Sequence, residues 1–213
     1  AVLIPCHAPS GMTREGSKTP ASEAARIIKE QDAQLGLLEW EMEEREKQRG
    51  IDHLTGARRR EVLVDMLDQS LKRIHEEGEH RKEGISLIFI DLDRFKQVND
   101  THGHLEGDKV LKRVAELFKN SIRATDMLAR YGGDEFAVLL PDTGEERAVI
   151  IAEKLRTVLV NDPEISGFGV TASIGVCSSE VSTATDSEDF IGHADKALYL
   201  AKRTGGNRVE VYT

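Results

Sequence analysis

The chain has 213 residues and a formal net charge of −9. That is long enough for one sizeable domain and an extension, and too acidic for a sequence-independent nucleic-acid binder, which needs a basic face. Cys6 and Cys177 lack a C-x-x-C spacing, which excludes a disulfide framework and a zinc site of that type, and no apolar run approaches the roughly 20 residues that span a bilayer.

Residues 1–20, with Pro5, Pro9, Gly11 and Pro20, read as a linker or the end of an upstream region. Residues 21–50 carry eight acids and five bases, with Ile28, Leu35 and Met42 seven apart and Leu38 three beyond Leu35. This seam predicts a dimerising helical coiled-coil stalk, weakened by Gln31 and Arg45 at companion positions. A solvated helix packed on its own domain is the alternative. Gly50 ends the pattern, and residues 51–213 are expected to form the main domain.

Within that domain Asp52 to Gly56 is the joint, and Val62, Leu63, Met66, Leu67, Leu71 and Ile74 then recur at helical spacing. After a polar stretch, the apolar run from Ile85 to Ile90 reads as a strand buried on both faces. It ends in Asp91-Leu92-Asp93, and ligands of open α/β sheets sit beyond the carboxyl ends of strands. Asp108 is expected at the head of a helix whose apolar face is Val110, Leu111, Val114, Leu117, Phe118 and Ile122, and as an N-cap it would need no further role.

Two short strands follow, joined by Gly132-Gly133, which predicts a hairpin with a two-residue turn at positive φ. Asp134 and Glu135 come next, adjacent carboxylates where a hairpin favours β-branched residues. If Asp91 meets either across neighbouring strands, the cluster is a divalent-cation site, because packed like charges need a cation or a proton. Thr143 and Glu146 have capping-box spacing before a helix that buries Ile151, Leu155, Val158 and Leu159. A strand over residues 169–176, a helix from Ser187 with Ile191, Ala194, Leu198 and Ala201, and a strand over residues 208–212 complete the pattern. The expected class is α/β (α+β), a central mixed sheet flanked by helices.

Six motifs in order carry a resemblance to a known family: D-x-L-T at 52–55, D-x-D-x-F-K at 91–96, N-D-x-x-G-H-x-x-G-D at 99–108, R-Y-G-G-D-E-F at 130–136, A-S-I-G at 172–175 and D-x-A-L-Y-x-A-K at 195–202. The chain resembles the GGDEF-domain diguanylate cyclases over about three-quarters of its length. The resemblance implies a palm-like nucleotidyl-cyclase fold and the joining of two GTP into cyclic di-GMP with release of two pyrophosphates. It implies Mg²⁺, with Mn²⁺ as a substitute, held by Asp91, Asp134 and the Leu92 carbonyl. Asp134 and Glu135 are then the catalytic acids, and Glu135 either assists deprotonation of the attacking hydroxyl or holds a second metal ion.

The same resemblance makes Asn99 and Asp108 the guanine readers, and Lys96 and Lys202 the phosphate holders. His104, Gly132 and Gly133 join them around the substrate. It implies a homodimer with facing sites, posed by the stalk, and product inhibition at R-x-x-D, here Arg123 and Asp126, with five residues between it and the glycine turn. A cytoplasmic location and an upstream sensor domain are expected, with neither nucleic acid nor membrane as a partner of this segment.

Three positions depart from the family pattern. Ala57-Arg58-Arg59-Arg60 replaces Leu-x-Asn-Arg, Asp134 is shorter than the common Glu, and Gly206 stands where a phosphate-binding Arg is usual. Arg203 and Arg208 are the nearby substitutes, with Arg208 preferred. The rival readings are a catalytically silent domain that binds GTP or cyclic di-GMP and a purely structural dimerisation protein; the retained glycines and acids favour the enzyme.

Overall fold

The computed structural model describes residues 50–77 and 84–213, together with residues 28, 29, 31, 34–36 and 38. The chain divides into two units, residues 1–46 and 47–213. In the first, the seam positions Ile28, Leu35 and Leu38 are helical and more than half exposed. Met42 and most of the expected stalk lie outside the described residues. Among the described residues no helix is long and apolar enough to cross a membrane.

In the second unit six strands, β1 (Arg58–Arg59), β2 (Ser86–Asp93), β3 (Met127–Arg130), β4 (Glu135–Leu140), β5 (Thr171–Ser178) and β6 (Val209–Val211), form one mixed sheet in the order β1-β3-β4-β2-β5-β6. The inner pairs β3–β4, β4–β2 and β2–β5 are antiparallel, and the outer pairs β1–β3 and β5–β6 are parallel. The helices are α1 (Arg60–Glu77), α2 (Phe95–His102), α3 (His104–Ser121), α4 (Glu145–Asn161), the short α5 (Pro163–Ser166) and α6 (Ser187–Arg203).

Alternation along the strands sorts the core into two layers. Ile88, Ile90 and Leu92 of β2 with Phe136 and Val138 of β4 pack against Val98 of α2, Val114 and Phe118 of α3 and Leu155 of α4. Leu87 and Phe89 with Ala137 and Leu139 face Leu63, Leu67 and Leu71 of α1 and Phe190, Ala194 and Leu198 of α6. Buried on both sides, β2 delivers its last residues with little slack, as its apolar run predicts.

Helix α6 lies directly on β5. A Cβ at Gly175 would collide with the backbone of Ala194 and Leu198, so the glycine of A-S-I-G is a seat for the helix. One turn beyond Leu198, Lys202 reaches the end of β2.

Three local expectations change. Asp108 lies inside α3, which begins at His104 with Gly103 as its N-cap, so the N-cap role is excluded. The Thr143–Glu146 capping box does not form: Thr143 Oγ1 donates to the Pro141 carbonyl, and Glu180 Oε2 accepts from the Glu145 N–H from across the fold. The link between β3 and β4 is residues 131–134, longer than Gly132-Gly133 alone.

Replacing Gly175 by Ala should cost roughly 1–3 kcal/mol, the range for overpacking a closed core. At Gly192, inside α6 itself and with nothing within 4 Å of its Cβ position, substitution by Ala should add roughly 0.5–1 kcal/mol of stability. Urea denaturation of the two variants tests the contrast, and equal stabilities would show that α6 does not rest on β5 at this point.

Candidate active site

The register between β2 and β4 makes Asp91 and Glu135 direct cross-strand partners, so both side chains leave the same face of the sheet. The Leu92 N–H donates to the Asp134 carbonyl (3.3 Å), which fastens the start of β4 to the end of β2. Burial pushes the Asp91 carboxyl above its ordinary range. Lys202, with Nζ 2.7 Å from Asp91 Oδ2, pulls against that shift, while Asp134 and Asp93 add to it. Burial likewise raises Glu135, and the neighbouring Asp91 raises it further.

Aromatic side chains hold the turn between β3 and β4 from both layers. Phe136 is fully buried and meets Phe118 of α3 edge to face at 5.8 Å. Tyr131 meets Phe89 edge to face at 4.9 Å, with the Arg60 guanidinium 4.4 Å from its ring centre. Each aromatic pair contributes roughly 0.5–1.5 kcal/mol beyond area burial. Arg130 closes the turn, donating from Nη2 and Nε to the Gly133 carbonyl (2.7 and 3.2 Å) and from Nη1 to Asp52 Oδ1 (3.1 Å). Burial pushes Asp52 up, but bonds from Thr55 and Arg130 outweigh it and hold the carboxyl below its ordinary value.

A cavity opens on each side of the carboxylates. One, of about 430 Å³, is lined by Phe95, Lys96, Asn99, His104, Asp108, Leu111, Arg130, Gly133 and Asp134. Gly107 shapes it, because a Cβ there would strike the Asn99 side chain; the glycine lets α3 approach α2, so that Asn99 and Asp108 share one cleft. The other, of about 580 Å³, is lined by Asp91, Asp93, Arg94, Thr171, Lys202, Gly205, Gly206 and Asn207.

The family model described as diguanylate cyclase, GGDEF domain matches residues 50–208. The chain belongs to the GGDEF-domain family. It is 38% identical over 173 residues to diguanylate cyclase DgcP of Pseudomonas aeruginosa, covering 80% of this chain and 25% of that one. It is also 38% identical over 164 residues to diguanylate cyclase A of Treponema denticola, covering 74% of this chain and 43% of the relative. The chain thus spans less than half the length of these relatives. Among solved structures it is similar to the coiled coil and GGDEF domain of DgcB from Caulobacter crescentus in complex with c-di-GMP, with a TM-score of 0.77, 29% identity, and coverage of 89% of this chain and 99% of that one. The active GGEEF domain of a Vibrio cholerae diguanylate cyclase gives a TM-score of 0.66 at 33% identity, covering 73% and 97%.

In this GGDEF domain the two signature glycines work differently from the hairpin expectation. Neither Gly132 nor Gly133 is among the positive-φ residues. Gly132 is small because a Cβ would run into the Glu135 carboxylate, whereas Gly133 has open space on its cleft side. The glycines provide room, and the turn geometry does not require left-handed backbone.

The acids of D-x-D are not equivalent. Asp93 accepts from Thr171 Oγ1 (2.7 Å), Ser173 Oγ (2.6 Å) and the Asn207 N–H (3.0 Å), so its oxygens tie β5 and the last turn to β2. Asp91 keeps the position facing Glu135 and Asp134. Lys96 lies in the cleft with Asn99 and Asp108, apart from Lys202 in the other cavity. Neither expected substitute for an Arg at position 206 lines that second cavity: Arg203 stacks 5.7 Å from the Tyr199 ring centre, and Arg208 lies 3.7 Å from Glu210. Sequence reading missed Asp93, Arg94 and the Asp52–Arg130 pair. The only signal for that pair was the joint occurrence of D-x-L-T and R-Y-G-G.

Arg123 and Asp126 flank the end of α3 beside a cavity of about 510 Å³, which Ile51, Thr55, Arg58, Lys119 and Leu128 also line. Asp126 Oδ2 accepts from the Arg123 N–H (2.8 Å), while Oδ1 is buried with no hydrogen-bond partner. A buried carboxylate oxygen without a donor is costly and suits a ligand that brings one.

The donor set also bears on metal. Among the described residues no three His, Cys, Asp or Glu side chains converge as a self-sufficient cation site. Mg²⁺ in nucleotide enzymes takes one or two carboxylates, with water and substrate phosphates completing its octahedron. Asp91 and Asp134, hard oxygen ligands whose mutual repulsion a cation relieves, fit that pattern.

Glu135 gives a pH test. Its folded pKa is raised, so between the ordinary value of 4.5 and the raised one the folded state holds more proton than the unfolded state. The wild type therefore loses stability as pH rises through that window. Without nucleotide, Glu135→Gln should melt above wild type at pH ~7, and the gap should close as pH falls below the ordinary glutamate value. Calorimetry showing the same gap at both ends would refute the buried-charge account.

Proposed function

We propose that this GGDEF domain is a metal-dependent diguanylate cyclase that works as a homodimer, converting two GTP into cyclic di-GMP and two pyrophosphates. The observation that carries the reading is the placement of Asp91, Glu135 and Asp134 between two cavities, one lined by Asn99 and Asp108 and the other by Lys202. A nucleotide with its base in the first and its terminal phosphates in the second lays its α-phosphate over the carboxylates. The relatives named diguanylate cyclases support the same reading.

The Asp108 carboxylate accepts from guanine N1–H and the exocyclic amine, a donor pair adenine lacks, and Asn99 supplies the complementary amide. His104 and Gly133 bound the base, and Lys96 adds positive charge at that side. Asp91, Asp134 and the Leu92 carbonyl hold Mg²⁺, or Mn²⁺ in its place, which when bound neutralises the triphosphate and lowers the pKa of the attacking 3′-hydroxyl. Glu135, whose proton affinity burial and Asp91 raise, accepts the hydroxyl proton. In each half-reaction the 3′-oxygen forms a bond to the α-phosphorus of the other nucleotide, the bond from that phosphorus to the bridging oxygen breaks, and pyrophosphate leaves with the electron pair.

One site holds one GTP, so a ring of two-fold symmetry needs a second copy facing the first. Exposed, helical Ile28, Leu35 and Leu38 support a paired stalk that sets this pose. Feedback by cyclic di-GMP at Arg123 and Asp126 is supported by the cavity and by the partnerless Asp126 oxygen. A cytoplasmic output role under an upstream sensor completes the proposal.

Incubation with GTP and Mg²⁺ followed by chromatography should yield cyclic di-GMP and pyrophosphate. Asp134→Asn should lower kcat by at least ~10²-fold, because it weakens a ligand to the ions that stabilise transition-state charge. Nucleotide binding without turnover by the wild type would identify a silent binding module instead.

Arg123→Ala should weaken cyclic di-GMP binding by roughly ten-fold or more in calorimetry, the scale of a lost charge-assisted contact. Unchanged binding would remove the feedback site from the proposal.

A further inference from the structure

The cavity at the end of β2 contains two acids and two cations, and three of these four groups have partners within the fold. Lys202 pairs with Asp91 at 2.7 Å. Asp93 is held by the hydroxyls of Thr171 and Ser173 and the N–H of Asn207. Arg94 lines the same cavity, is exposed, and has no ion-pair partner among the described residues. A guanidinium that lines a cavity with a lysine and is ion-paired to neither of the cavity's acids suits a multiply charged oxyanion.

The backbone at this residue points the same way. Arg94 is the N-cap of α2 and adopts φ 65°, ψ 11°, the left-handed region. Non-glycine residues occupy it at a cost, and such residues cluster at ligand clamps. The first-turn N–H groups of α2 lie next to it and favour an anion at that spot.

On the facing wall Gly206, at φ 71°, contributes no side chain, and even a Cβ there would sit 3.3 Å from the Asp93 oxygens. Arg203 and Arg208 are engaged elsewhere. We infer that Arg94 is the cation that grips the terminal phosphates of the nucleoside triphosphate, doing from the β2–α2 junction what no side chain does from position 206. The inference rests on the cyclase reading for the placement of the nucleotide. The base lies on the Asn99 and Asp108 side of the carboxylates, so a triphosphate crossing them brings its β- and γ-phosphates, and not its α-phosphate, to Arg94.

Calorimetry on the whole chain with Mg²⁺ tests this, using GMP and a GTP analogue with a methylene in place of the α–β bridging oxygen, which cannot release pyrophosphate. Arg94→Ala should weaken the analogue roughly ten-fold or more, the scale of a lost charge-assisted contact, and leave GMP within about two-fold. Arg94→Lys, which keeps the charge and loses the fork, should fall between. Arg94→Gly, which the left-handed backbone accepts more readily, should repeat the alanine result and serves in its place if alanine lowers the melting temperature.

Analogue binding within about two-fold of wild type in these variants would overturn the inference. So would equal weakening of GMP, which would show that Arg94 acts by holding α2 and Asn99. The cyclase reading fails separately: wild type binding the matching ATP analogue as tightly as the GTP analogue would remove guanine recognition, yet a loss confined to triphosphates in Arg94→Ala would still stand. No binding of either nucleotide by the wild type would sink both.

Discussion

The structure is built around a repulsion that it does not relieve by itself. Asp91 and Glu135 stand directly opposite each other on β2 and β4, with Asp134 next along the chain. Like charges in that relation cost roughly 0.2–1 kcal/mol in a sheet, and burial raises both carboxyls further. Lys202 offsets part of this through a single ion pair with Asp91. The rest is carried by the strands, since Leu87 to Ile90 and Phe136 to Leu140 are buried apolar residues that gain nothing by moving. Concentrated negative charge held on a rigid support is what a metal–triphosphate complex requires.

Rigidity around the charge comes from fitting backbones closely, and glycine is the means. Gly175 seats α6, which carries Lys202; Gly107 lets α3 meet α2 at Asn99; and Gly132 clears the Glu135 carboxylate. At none of these three does a positive φ explain the residue. Aromatic contacts then hold the turn between β3 and β4 to both layers, through Phe136 with Phe118 and Tyr131 with Phe89.

The glycine turn is also tied to the entrance of the domain. Arg130 holds the Gly133 carbonyl with one part of its guanidinium and Asp52 with another, and Asp52 in turn fixes Thr55. The other end of β3 carries Asp126 and the cavity beside Arg123. One four-residue strand therefore links the glycine turn to the cavity beside Arg123, which Ile51, Thr55 and Gly56 of the entry turn also line.

What was legible in the sequence was whatever depends on periodicity and local chemistry. The apolar run before Asp91 and most of the helical faces of α1, α3, α4 and α6 follow from burial patterns that repeat at 2.0 or 3.6 residues, although Met66 of α1 is exposed and Ile151 and Val158 of α4 are only half-buried, and six ordered motifs carried the family. Tertiary structure decided the relations between distant residues. Periodicity could not tell that Asp93 spends its oxygens on Thr171, Ser173 and Asn207 while Asp91 does not, because the two acids are two residues apart on the same face of one strand. Nor could it move Asp108 from a helix cap to the inside of α3, or show that Gly132 makes room for a carboxylate. It pointed to Arg203 and Arg208 as substitutes at position 206 because they are near in sequence, whereas the cavity takes Arg94 from the far side of the β2–β5 pair. The physical reason is common to all of these. A strand or helix is encoded by its own residues, while a site is assembled where several elements end, and the register that aligns those ends is set by packing between them.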